Sequence, residues 1–368
     1  MMKILLKIFV GVIIIISCSE NDEISSTINP DESNLYFPPL ISDNWQSLTP
    51  GELGWNTNEI DNLLSFLQDN NTRAFIILKD GKIVIEEYFG NTLLGDDVFN
   101  KNSLWYWASA GKTLTATLVG IAQQEGFLNI ENTTSIYLGE GWTSLTPEKE
   151  ELIKVKNQLT MTTGLDFNID DLDCTLSTCL TYNTDAGTQW FYHNGAYTLL
   201  KNVVENATGF NYNDYTYQKI GSIIGMNGQW ITQGYNSFYM STARDMAKFG
   251  LLALNEGKWN ESMVLNDSNY YNQMVTSSQD LNPSYGHLWW LNGKDSIIYP
   301  GFSTTLNTSL SENAPSDLYA GLGKNGQFIE VIPSKNLVVI RMGESPDDSP
   351  LPIAFHNELW GKINLVIN

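Results

Sequence analysis

The chain has 368 residues, a mass of 41.3 kDa and a net charge of -21, with a pI near 4.4. A chain this acidic lacks the Lys and Arg that neutralise phosphates, which argues against nucleic acid or an anionic membrane surface as a partner. A hydrophobic fraction of 42% rules out wholesale disorder, the length rules out a small disulfide-stapled scaffold, and three Cys with three His rule out most zinc sites, which need about four ligands at tight spacing. No metal or other cofactor is implied.

In chain order, Lys3 and Lys7 flank an apolar run from Ile8 to Ile16. The run is too short to span a bilayer, which takes about 20 residues, and suits the apolar region of a secretory signal. Ile15-Ile16-Ser17-Cys18 resembles a bacterial lipobox. That resemblance implies a signal peptide over residues 1–17, cleavage before Cys18, lipidation of Cys18, and an exported protein tied to the cell envelope only by its N-terminal lipid. An ordinary signal with an incidental Cys is the alternative. Residues 18–50 read as a solvated acidic tether, with no Lys or Arg and with Pro30, Pro38, Pro39 and Pro50. Ser19-Glu20-Asn21-Asp22-Glu23 resembles the acidic export tags that carry some lipoproteins to the outer surface; a plain charged linker is the other reading.

The body, residues 51–368, reads as strands, then helices, then strands. Ile60, Leu63, Leu64 and Leu67 have helical spacing within Asn58 to Asp69. Arg73 to Lys79 and Lys82 to Tyr88 form two strands around Asp80-Gly81, a strong hairpin signal. From about 101 to 295 the chain is mainly helices and long loops. Asp317 to Leu322, Gln327 to Ile332 and Asn336 to Met342 read as three further strands, and Pro352 to Ile363 as a closing helix. Strands at both ends around a helical middle predict an α+β fold: one antiparallel sheet flanked by helices, with an inserted, mainly helical lobe and a cleft between them. Cys174 and Cys179, with four residues between them, are candidates for a disulfide in an oxidising compartment or for two free thiols.

The chemistry is expected where the lobe begins. Trp107-Ala108-Ser109-Ala110-Gly111-Lys112 leads into a helical run, so Ser109 and Lys112 share one face a turn apart. A serine hydroxyl needs a base, and a buried lysine can be neutral enough to serve. The partial positive charge of the helix start favours a developing oxyanion. A Ser cap followed by a surface Lys is the plain alternative. Further on, Thr188-Gln189-Trp190-Phe191-Tyr192-His193-Asn194-Gly195-Ala196-Tyr197 precedes another helix.

Ser109-x-x-Lys112 followed by Tyr192-x-Asn194 resembles the serine β-lactamase and D-peptidase superfamily, in its class C and esterase-like branch. Gln158 to Leu165, Ile224 to Met226, Tyr239 to Met246 and Tyr285 to Trp290 also resemble that family, so the likeness runs over about residues 53 to 365. It implies a Ser109 nucleophile, Lys112 and Tyr192 sharing its proton, and Asn194 orienting Lys112 or a substrate amide, with Trp107 as a further substrate-binding or supporting residue. A second Tyr-x-Asn, Tyr270-Tyr271-Asn272, lacks an approach like Gly187-Thr188 and the helix that follows.

The family's third element, Lys-Thr-Gly on a strand, has an echo in Lys324-Asn325-Gly326, which reads instead as a hairpin tip. The strand before it carries neither the Lys nor the Thr, so its expected contribution is a backbone N–H from Gly321 or Leu322, paired with that of Ser109 as an oxyanion hole; Lys324 is the minor candidate. A Ser-His-Asp hydrolase would have to use His193, His287 or His356, and no Gly-x-Ser-x-Gly elbow accompanies them. The resemblance implies an exported serine hydrolase acting on small esters or amides, similar to 6-aminohexanoate-dimer hydrolases and carboxylesterases. A β-lactamase or D-amino-acid peptidase, or a non-catalytic penicillin-recognising or scaffold protein, are the alternatives. Trp105, Trp107, Trp190, Trp289 and Trp290 are expected to make the cleft apolar.

Overall fold

The computed structural model describes residues 35–347, 349 and 351–368. The signal peptide, Cys18 and the first part of the expected tether lie outside the described residues.

Eleven strands are described: β1 (Thr72–Lys79), β2 (Lys82–Tyr88), β3 (Trp105–Tyr106), β4 (Gly228–Gln233), β5 (Asn236–Ser241), β6 (Lys258–Trp259), β7 (Ser262–Met263), β8 (Trp290–Leu291), β9 (Tyr319–Gly323), β10 (Gln327–Ile332) and β11 (Leu337–Gly343). Asp80 and Gly81 both have positive φ, 50° and 78°, the conformation that a two-residue hairpin needs between right-twisted strands. The main sheet runs β2-β1-β11-β10-β9-β8, with all five neighbouring pairs antiparallel. It joins the two ends of the chain, as an α+β fold with an inserted lobe requires.

Ala74 to Leu78 and Val338 to Ile340 are buried on both faces because helices cover both. On one face the Ala243–Leu254 helix rests directly on β11 and β10: a Cβ on Gly250 would lie 2.5 Å from Val338 Cγ1. On the other lie the helices Ile60–Asp69 and Ile353–Ile367, packed on each other through the Phe66–Phe355 stack. There Glu330 Oε1 accepts a hydrogen bond from Trp360 Nε1 at 2.9 Å and is bonded to His356 Nε2. His356 is therefore a core residue of the last helix, which runs four residues past its expected end at Ile363.

Two expectations change. Part of the lobe is sheet: β4 and β5 form a hairpin with β3 on its edge, in the order β3-β5-β4. Residues 35–50 are not a free tether. Tyr36 N–H donates to Asp80 O at 3.0 Å, Leu48 N–H to Ile83 O at 2.9 Å, and the Trp45 indole to Gly81 O at 2.8 Å. The β1–β2 hairpin thus offers its turn and edge to this segment, and acidic composition gave no sign of that backbone pairing. Arg244 ties lobe to sheet, gripping Glu86 of β2 with Nε and Nη2 at 2.6 and 2.7 Å while donating to Asp43 O.

Candidate active site

Ser109 sits in a single 3-10 turn, Ala108–Gly111, directly before the Lys112–Gln124 helix. The turn is tied twice to β5 through Trp107. Trp107 N–H donates to Tyr239 O in β5 at 2.8 Å, and the Trp107 indole donates to Ser241 Oγ at 2.9 Å. Ala108 has φ 47°, a left-handed conformation that a non-glycine residue adopts at a cost. The strained residue immediately precedes the partly exposed Ser109. Trp107 is completely buried, so it supports the turn from behind.

The helix brings Lys112 back onto Ser109, with Nζ 3.4 Å from Oγ. Lys112 is 4% exposed, and burial pulls its ammonium down to about 7 against the opposing charge of Asp173. No salt bridge to Lys112 is found among the described residues. Aromatic faces surround it instead, with the Tyr197 ring centroid 3.8 Å and the Tyr192 centroid 5.1 Å from Nζ. Tyr192 is buried, which pushes its phenol above the ordinary value, while the nearby Ser109 hydroxyl acts the other way. Serine, lysine and tyrosine are therefore in mutual reach. Asn194, at the start of the Asn194–Thr198 helix, gives its amide nitrogen to Asp173 Oδ1 at 2.9 Å, and its Oδ1 is buried without a hydrogen-bond partner.

Strand β9 forms the opposite wall. Gly321 and Gly323 share one face of the strand, and both sit against the serine turn. A Cβ on Gly323 would lie 2.7 Å from Trp107 O and 3.1 Å from Ser109 N; one on Gly321 would lie 2.9 Å from Thr113 Cγ2. Asn292 N–H donates to Leu318 O, so the polar groups of Leu318, Ala320 and Leu322 point toward the β8 edge and those of Gly321 and Gly323 toward β10. Gly321 N–H is therefore turned into the sheet, which removes it as an oxyanion donor. Leu322 N–H faces the edge beyond Trp290, the last β8 residue paired with β9, and continued alternation turns Lys324 N–H the same way. The Lys324 side chain is exposed at the hairpin tip, beside Asn325, whose φ of 64° closes the turn. Arg341 fixes that tip from beneath, donating to Asn325 O at 3.0 Å and Gly326 O at 2.7 Å.

Other expected residues lie elsewhere. Trp105, Trp107 and Trp289 are fully buried and Trp190 and Trp290 are 2% exposed, so these rings are core and not the wall of an open cleft. Trp190, Tyr285 and Trp290 pack behind Tyr192 and limit its movement. His193 caps its helix, with Nδ1 accepting from Ala196 N–H, and His287 is buried against Tyr270, where desolvation pulls it down to about 3. Neither contacts Ser109. Tyr270 and Tyr271 point into the core, donating to Ala116 O and Ala253 O. Cys174 and Cys179 are bridged. No group of three or more His, Cys, Asp or Glu among the described residues is placed to hold a metal ion.

Asp173, Tyr197 and Gly323 are neighbours of the site that sequence reasoning missed. For Gly323 a signal existed: glycines two apart on one strand give a smooth face for close backbone approach. Asp173 carried none, because a folded loop brings it to Asn194.

Solved structures share this fold. A candidate 6-aminohexanoate-dimer hydrolase from Bacillus anthracis superposes with a TM-score of 0.65 at 19% identity, covering 90% of this chain and 89% of its own. A candidate beta-lactamase from Bacteroides dorei gives 0.64 at 15%, covering 85% and 99%. A penicillin-binding protein homolog from Caulobacter crescentus gives 0.65 at 10%, covering 83% and 97%. An uncharacterized protein from Alkalihalophilus pseudofirmus is 23% identical over 310 residues, 75% of this chain and 85% of that protein. The sequence model of the Beta-lactamase family matches residues 67–351, a span that holds the serine turn, Tyr192 and β9, and the chain belongs to that family.

Proposed function

We propose that the protein is a serine hydrolase that forms an acyl-enzyme on Ser109, with small neutral esters or linear amides as substrates. The observation that carries this reading is the Lys112 amine 3.4 Å from Ser109 Oγ, buried and with its ammonium pulled down to about 7. At neutral pH a large share of Lys112 is then free amine, able to take the serine proton as Oγ attacks a carbonyl carbon. The Tyr192 phenol is pushed the other way and stays protonated, which suits it to hand a proton to the leaving alcohol or amine. The N–H of Ser109 and those of Leu322 and Lys324 on the open edge of β9 supply the donors for the oxyanion. Water then cleaves the acyl-enzyme by the reverse relay.

The substrate class follows from charge. Lys324 is the one lysine on the β9–β10 turn, and its side chain projects from the exposed tip, so β9 itself offers no cation for the carboxylate of a β-lactam. The net charge of -21 adds weak long-range repulsion of anions. Export and lipid anchoring through Cys18 remain part of the proposal on the lipobox resemblance alone. The test is a side-by-side measurement of kcat/KM on short-chain esters, linear amides, penicillins and cephalosporins. The expected order places neutral esters or amides well ahead; a β-lactam as the best substrate would overturn the substrate assignment and make Lys324 the first residue to substitute.

A further inference from the structure

A buried amine that takes a proton becomes a buried ammonium, and that charge needs a stabilising neighbour. Asp173 acts on Lys112 from a distance, its two carboxylate oxygens accepting from the side-chain amides of Asn194 and Asn236 at 2.9 and 2.7 Å. On the adjoining helix Leu200–Thr208, Lys201 reaches Thr232 Oγ1 and Glu205 accepts from Tyr212 N–H, so both are engaged elsewhere. Tyr270, on the Ser268–Met274 helix packed against the lysine helix, gives its hydroxyl to Ala116 O. Strand β9 brings glycines to the serine turn and carries no charged side chain.

What faces the amine is the ring of Tyr197. Lys112 Nζ lies 3.8 Å from its centroid, and at that distance it must sit over the face, because in the ring plane it would collide with the C–H rim. The Tyr192 ring is farther off, at 5.1 Å. Tyr197 is locked in place from its far end. Its hydroxyl is bonded to Thr115 Oγ1 at 3.1 Å, and Thr115 stands three residues after Lys112 on the same face of the same helix. Thr115 Oγ1 also accepts from Tyr212 OH at 2.9 Å, and the Tyr212 ring packs on that of Trp230 at 5.1 Å. All four side chains are buried. The negative face of an aromatic ring attracts a cation, most strongly where water is excluded, and offers far less to a neutral amine.

We infer that Tyr197 is a positioning residue that keeps the Lys112 amine against Ser109 and stabilises, over its ring face, the ammonium formed when Lys112 takes the serine proton. The proton passes from Ser109 Oγ to Lys112 Nζ as Oγ bonds to the carbonyl carbon, so the positive charge arises directly over the ring. This rests on the acyl-enzyme reading above. It deepens that reading by naming what makes Lys112 a strong enough base in a dry site.

The test changes the electrons of the ring while nearly keeping its shape. Tyr197→Phe and its 4-fluoro, 3,5-difluoro and 3,4,5-trifluoro forms are made in the full chain by nonsense suppression, and kcat/KM for 4-nitrophenyl acetate is measured against pH. Each fluorine withdraws density from the ring face. Across the series the rising limb of the profile is expected to move toward acid by about one pH unit. The plateau is expected to fall about threefold as the base weakens. Loosening of the fold alone would lower the plateau and leave the limb in place. A limb that stays fixed across the series, or moves toward alkali, overturns the inference. Failure of the underlying reading looks different: the wild type would release no 4-nitrophenol, or its rising limb would survive in Lys112→Ala, and the inference would fall with it.

Discussion

Gly323 brings β9 against the backbone of Ser109 so closely that a methyl group on Gly323 would lie 3.1 Å from the Ser109 nitrogen and 2.9 Å from that of Ala110. Strand and serine turn come from chain segments more than two hundred residues apart, and their contact sets the distance between the nucleophile and the N–H groups of the β9 edge.

Gly323→Ala is therefore expected to cut kcat by about 100-fold, because displacing a reacting group by roughly 1 Å costs that much. Circular dichroism should still report a folded protein. Gly51→Ala, where a methyl group meets nothing within 4 Å, serves as the control and should leave turnover unchanged. Near-normal kcat in Gly323→Ala would show that β9 does not shape the site.

The pH dependence follows from Lys112. Desolvation favours its neutral form and brings it to about 7, so kcat/KM for ester acylation should rise with pH through about 7 and then level off. Lys112→Arg, permanently charged, should be slow at every pH. The stability consequence has the same sign: between about 7 and the ordinary lysine value the unfolded chain binds a proton that the folded chain does not, so this group's contribution to stability rises with pH across that window. A rate profile with its rising limb near the ordinary lysine value of about 10.4 would contradict the assignment.

Much of the frame was legible in the sequence. Asp80-Gly81 between two β-branched runs defines a hairpin by local chemistry, and the ends of β10 are marked by glycine and proline. The spacing of Ser109 and Lys112 needs only one helical turn to bring them together. Other features depend on long-range packing. The indole rings of Trp105, Trp107, Trp190, Trp289 and Trp290 carry polar N–H groups that suit either a cleft wall or a core, and only the arrangement of the lobe buries them. Segment 35–50 is acidic and proline-bearing, like a linker, yet it pairs through backbone groups that composition does not report. Gly321 and Leu322 are equivalent as expected N–H donors until the register of β9 against β10 turns one inward and the other to the edge. The two-residue strands β3 and β8 are too short for any period to appear.

The central claim is that Ser109 becomes acylated with Lys112 as its base, and intact-mass spectrometry of the protein mixed with ester, amide and β-lactam donors tests it most directly. The expected result is a mass increase equal to one acyl group with at least one ester or amide, mapping to the peptide that contains Ser109, absent in Ser109→Ala and accumulating far more slowly in Lys112→Ala. An acyl group mapped to another residue, or hydrolysis at a near-normal rate by Ser109→Ala, would contradict the account.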